Sequence, residues 1–150
     1  MRKHLLILLP SLIVAGCILG RSTPPQNEAP SAASVGSPDD VSPLAALMRR
    51  MADHVDSVKV GLTHGGELPP VPEGVQDLLT ATPTQGMHID PITFPTFGRD
   101  YLLKLDELYA APVEGRTRAF NALVQSCANC HTTHCPGPLM RIKKMYAPVE

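Results

Sequence analysis

The chain has 150 residues, 43% of them apolar and 18% charged, with 13 basic against 14 acidic side chains. A formal net charge of −1 excludes the clustered basic excess of a nucleic-acid-binding surface, and the length suits one small domain rather than two. Trp is absent and there are only three Tyr and three Phe, so something other than aromatic bulk must fill the core, while four Cys in so short a chain point to chemistry.

Arg2, Lys3 and His4 form a basic head before the apolar run Leu5 to Val14. Pro10 and Ser11 interrupt that run, which falls short of the roughly 20 residues a membrane-spanning helix needs. The layout is that of a secretory signal over residues 1–16. Val14-Ala15-Gly16-Cys17 resembles the bacterial lipobox, which implies cleavage before Cys17 and a lipid on that cysteine. The remaining 134 residues would carry 11 basic and 14 acidic groups, a net −3. The field of such a chain does not favour an anionic membrane, so the lipid is the expected anchor. The expected location is the periplasmic side of a bacterial membrane or cell envelope.

Residues 17–42 form the expected linker. From Arg21 to Ser42 it is rich in Pro, Ser and Ala and nearly without large apolar side chains, too poor in buriable surface to order itself. As a flexible coil it spans roughly 25 Å, or about 70 Å when drawn out in polyproline form.

Residues 43–150 read as one all-α domain, a four-helix bundle. Ser42-Pro43 offers an N-cap followed by a proline at the first helical position. Leu44, Leu47, Met48, Met51, Val55, Val58 and Leu62 then form one stripe at helical period, ended by Gly65-Gly66. His54 sits at the edge of that stripe, as a half-exposed boundary residue, and His64 falls by the glycine stop. A short second helix is expected from Pro72-Glu73 through Val75, Leu78 and Leu79. Pro83 to Pro95 reads as loop. A third helix, about 96 to 110, places Phe97, Tyr101, Leu105 and Leu108 on one face. A fourth starts near Pro112-Val113-Glu114, runs through Phe120, Leu123, Val124 and Cys127, and is stopped by Pro136-Gly137-Pro138.

That last helix carries Cys127-Ala128-Asn129-Cys130-His131, the C-x-x-C-H attachment signature of c-type haem. Two thiols three residues apart can add to the two vinyl groups of one haem, and the adjacent His131 can reach the iron as proximal axial ligand. Export places the chain where such attachment occurs. Zinc on Cys127, Cys130, His134 and Cys135 is a rival, but these four lie within a nine-residue span and lack the loop that usually joins two ligand pairs. A Cys127–Cys130 disulfide would close too short a loop to add much stability.

A haem motif at the far end of a helical bundle resembles the class II cytochromes c, the family of cytochrome c′ and its low-spin relatives. The resemblance covers roughly residues 43 to 135. It rests on Phe120-Asn121-Ala122-Leu123-Val124-Gln125-Ser126 leading into the haem motif, and on Leu47-Met48-Arg49-Arg50-Met51-Ala52-Asp53-His54-Val55 as the first helix. It implies one covalent haem c and puts Met48 at the distal position, with Met51, His54 and His88 as alternatives. An open distal site is a further alternative. The chain departs from the family where a basic residue often follows the haem histidine by four positions: Cys135 stands there, and Arg141, Lys143 and Lys144 lie beyond Pro136. Met87 and His88, in the proline-rich loop, are candidates to cover or coordinate the haem. Cys135 is left over, and a buried inert thiol is the favoured reading for it.

No phosphate loop, metalloprotease helix or nucleophile triad is present in the sequence, so the expectation is a non-enzyme. The leading reading is a monohaem electron carrier, anchored to the membrane by lipid and cycling Fe(III)/Fe(II) between redox partner proteins. The alternatives are a haem-based nitric oxide or carbon monoxide binder with an open distal site, and a zinc-binding or non-haem interaction lipoprotein. A homodimer stays open.

Overall fold

A computed structural model describes residues 41–149; the expected signal, Cys17 and the linker up to residue 40 lie outside the described residues. Helix α1 spans Pro43–His64. Ser42 is extended and its Oγ accepts the Ala45 N–H at 3.2 Å, while Pro43 occupies a first-turn position where no N–H is needed. The helix ends at Gly65, whose φ of +67° lets its N–H turn back to the Gly61 carbonyl; a glycine takes this left-handed cap without Cβ strain. The predicted stripe is the buried face, with Leu44, Leu47, Met51, Val55 and Val58 inside. His54 departs from its expected place at a half-exposed edge: it is only 7% exposed.

The expected second helix is a 3-10 segment, Val75–Leu79. Gly74, at φ +72°, precedes it and rules out a longer α-helical entry. In the tighter 3-10 winding residues three apart eclipse, so Val75 and Leu78 go into the core together. Gly98 lets this segment come close, since a Cβ there would lie 2.7 Å from Cδ2 of Leu79.

Helix α2 spans Thr93–Ala110, starting before the predicted residue 96. Asp90 explains the earlier start: its Oδ1 accepts the N–H of Ile92 at 3.0 Å and of Thr93 at 2.7 Å. Pro95 then falls in the first turn, where a missing N–H leaves no bond unmade. A 3-10 turn at Val113–Gly115 stands where the next helix was expected to begin, and α3 spans Arg116–His134. Cys135 is driven out of helical conformation (φ −155°, ψ 81°) because Pro136 follows it. Beyond the Pro136–Pro138 stop lies one unpredicted helical turn, α4, Leu139–Ile142.

The described residues are helical with no strand. The short α2–α3 connection makes those two helices neighbours, and α1 packs against α3 and the 3-10 segment. Phe120, Leu47, Leu105, Leu108, Leu123, Val55, Val58 and Val124 are fully buried, each contributing about 1.5–3 kcal/mol of transfer free energy. The α4 segment is tied back at several points. Arg141 meets Asp56 at 3.0 Å and Asp53 at 3.6 Å, and Lys59 Nζ donates to the Lys144 carbonyl at 2.7 Å. Asn121 donates to the Ala147 carbonyl at 3.0 Å and accepts its N–H at 2.9 Å. Among the described residues no helix is long and apolar enough to cross a membrane.

Candidate functional site

At about 100° per residue, Cys127, Cys130, His131 and His134 fall within roughly 100° of one another on α3. They continue the stripe begun by Phe120, Leu123 and Val124. At the Phe120 end the stripe is core; at the cysteine end it borders a cavity of about 300 Å³, within the range of cofactor and small-molecule sites.

The cavity lies where α1 and α2 begin and α3 ends. Met48, Met51, Ala52 and Val55 form the α1 wall; Thr84, Met87 and Ile89 come from the loop before α2; Cys127, Cys130, His131, His134 and Cys135 come from α3 and its cap. Arg141, Ile142 and Met145 close it from the α4 segment. Four of the six methionines therefore face one space. The lining is mostly apolar, its charged members are Arg49 and Arg141, and it contains no carboxylate. A smaller chamber of about 30 Å³ adjoins it, bordered by Met48, Met51, Phe97, Tyr101, Cys127 and His131 among others.

The thiols here are neutral. Burial first, then the neighbouring Cys130 thiol, pushes Cys127 up to about 12; burial and the Cys135 thiol push Cys130 up to about 11. A reactive C-x-x-C redox pair shows the opposite, a depressed thiol. All three described cysteines are free, and among the described residues no cluster of three or more His, Cys, Asp or Glu side chains is placed to hold a metal ion.

Hydrogen bonding separates the histidines. His131 Nδ1 lies 2.9 Å from the Cys135 carbonyl, which can only accept, so Nδ1 carries a proton and in the neutral ring the lone pair is left on Nε2. A backbone carbonyl that fixes the imidazole tautomer in this way is the usual partner of a metal-ligating histidine. His134 is committed elsewhere. The Thr93 hydroxyl donates to Asp90, so His134 Nε2–H donates to Thr93 Oγ1 at 3.3 Å. Its ring meets Phe94 and Phe97 edge-on, with centroids 5.5 and 5.8 Å away.

His54 is similarly engaged. Tyr109 gives its one hydroxyl proton to the Pro69 carbonyl, so His54 Nε2–H donates to the Tyr109 oxygen at 2.7 Å. That leaves Nδ1 of His54 buried, unprotonated and without a partner among the described residues. Burial lowers the pKa of this imidazole. Neither His54 nor the exposed His88 lines the cavity, whereas Met48, Met51 and Met87 do.

The structure thus brings Met48, Met51, Cys127, Cys130 and His131 to one space, and leaves His54 and His88 outside it. Sequence reasoning missed the wall supplied by Ile142 and Met145; their i,i+3 spacing after Pro138 was the available signal. His134 entered only as a zinc ligand, although its place on the Cys127 stripe already put it at this wall. Cys17 lies outside the described residues. No protein-family model, no curated protein and no solved structure matches the chain.

Proposed function

We propose that the chain is a monohaem c-type cytochrome of class II type, an electron carrier with its haem held in the 300 Å³ cavity. The observation that carries this reading is the meeting of Cys127, Cys130, His131 and Met48 on one apolar cavity whose charged lining residues are arginines. A porphyrin is an apolar plate with two carboxylates, and the donor set fits it.

Cys127 and Cys130 would hold the group through thioethers, each S–H bond adding across a vinyl C=C to give one S–C and one C–H bond, with no oxidant required. His131 offers Nε2 as proximal ligand, its tautomer set by the Cys135 carbonyl. Met48 offers its sulfur from the facing wall. Arg49 and Arg141 would meet the carboxylates, and Arg141 is paired with Asp53 and Asp56. When bound, the haem supplies one-electron Fe(III)/Fe(II) exchange, and a methionine ligand raises its potential relative to bis-histidine ligation.

In this reading α1, α2 and α3 stand for three helices of the class II bundle, with the short 3-10 segment Val75–Leu79 where the second would run. Cys17 carries the lipid, residues 17–42 tether the domain at the periplasmic side, and the partners are redox proteins rather than substrates. The test is an absorption spectrum of protein expressed with a haem-attachment system, in wild type and Met48→Ala. The expected wild type shows a Soret band, a low-spin ferric state and a near-infrared sulfur-to-iron band. Met48→Ala is expected to turn high-spin, fall in potential and bind carbon monoxide faster. A wild type already high-spin and indifferent to Met48→Ala would overturn the carrier assignment in favour of gas binding.

A further inference from the structure

The hydroxyls of the chain's tyrosines are satisfied with one exception. Tyr109 donates to the Pro69 carbonyl, and Tyr146 donates to Gln125 Oε1 at 2.9 Å. The buried Ser126 hydroxyl likewise donates to the Leu123 carbonyl at 2.7 Å. Tyr101, in the middle of α2, is 3% exposed, and its hydroxyl has no partner among the described residues. A buried phenol of this kind nearly always has one.

Its surroundings indicate where the partner belongs. Tyr101 borders the small chamber with Met48, Met51, Cys127, Cys130 and His131, all of which also line the main cavity. The remaining chamber walls are Leu78, Phe94, Phe97 and Gly98, which offer no side-chain acceptor. Burial, reinforced by the Cys127 thiol and Tyr109, raises the Tyr101 pKa, so the group is a neutral O–H, available as a donor.

We infer that the Tyr101 hydroxyl presents its O–H dipole to the group bound beside Cys127 and Met48, and that it holds that group at a higher reduction potential. The inference rests on the haem reading above. The physical ground is charge: reduction adds one electron to a site of low local dielectric, and an O–H dipole with its positive end toward that site stabilises the added charge. Removing the dipole favours the oxidised form.

The test uses the haem-loaded, full-length protein, comparing wild type, Tyr101→Phe and Tyr109→Phe. Tyr101→Phe removes one oxygen and keeps the ring. The expected result is a lower midpoint potential with unchanged haem content and spin state. Tyr109→Phe, whose hydroxyl serves His54 and Pro69, is expected to lower stability and leave the potential alone. Redox-difference infrared spectra of wild type labelled with ring-deuterated tyrosine are expected to show a tyrosine C–O band that moves on reduction. That measurement needs no variant to fold. Haem-loaded protein with an unmoved tyrosine band, or with the same potential in Tyr101→Phe, overturns the Tyr101 assignment alone. A wild type that takes up no haem overturns both this inference and the reading beneath it.

Discussion

Two stretches of the same helical stripe on α3 meet different fates. Phe120, Leu123 and Val124 are each 0% exposed, in a core shared with Val58 and Leu108, also at 0%. One to two turns further on, Cys127, Cys130 and His131 stay half-buried around an open space. Geometry along the helix is continuous, so the difference lies in what stands opposite. The closed end is met by large aliphatic side chains; the open end is met by methionines, which are flexible and polarizable and adapt to an irregular guest. One end is closed by its own side chains, and the other leaves a cavity of about 300 Å³.

The strongest way to break this contrast is to remove attachment. Cys127→Ala with Cys130→Ala should abolish covalent haem and loosen α4 and the start of α1, while amides near Phe120 and Leu108 keep their protection. Haemochrome absorbance and site-resolved hydrogen exchange measure the two halves. Collapse at both ends would show that the closed end does not stand by itself. The converse substitution is Phe120→Ala, which empties the core at the closed end and should cost about 3–5 kcal/mol in urea unfolding. Its haem spectrum should be that of wild type; a changed spin state would mean that the two ends are mechanically coupled.

A smaller effect is expected at the α1 cap. Gly65→Ala forces a left-handed conformation on a residue with a Cβ, at about 1–2 kcal/mol. A Cβ there meets nothing within 4 Å, so the loss is conformational only. An unaltered unfolding midpoint would show that the cap refolds around the alanine.

The smallest effect is the pH dependence at His54. Burial lowers its pKa in the folded state, so below the unfolded value near 6.5 the unfolded chain binds the proton more readily. Stability from this group is therefore complete above about pH 6.5 and declines as pH falls toward the folded pKa. Denaturation midpoints at pH 7.5 and 5.5 should differ more in wild type than in His54→Gln, and equal differences would remove His54 as the cause.

What the sequence made legible was local. Ser42-Pro43, the α1 stripe, Gly65 and Pro136 each act within a turn or two, and the C-x-x-C-H spacing aligns its own side chains on a helix face. The His54–Tyr109 contact joins residues 55 positions apart, and Arg141 reaches Asp56 across 85. No periodicity reports such pairings, which is why His54 was expected at an edge and the α4 wall was not expected at all. The early start of α2 was missed for a different reason: Asp90 caps from within a run that its prolines mark as loop.

Two of the contacts that fasten the segment after Pro138 to α1, Arg141 to Asp56 and Lys59 to the Lys144 carbonyl, each close a loop of 85 positions. Chain entropy makes such distant closures unfavourable until other contacts hold the ends near each other. Loop-closure entropy therefore predicts that this strap closes after the helices and their neighbouring contacts have formed. On that expectation the wall carrying Arg141, Ile142 and Met145 is the last side of the cavity to be set in place.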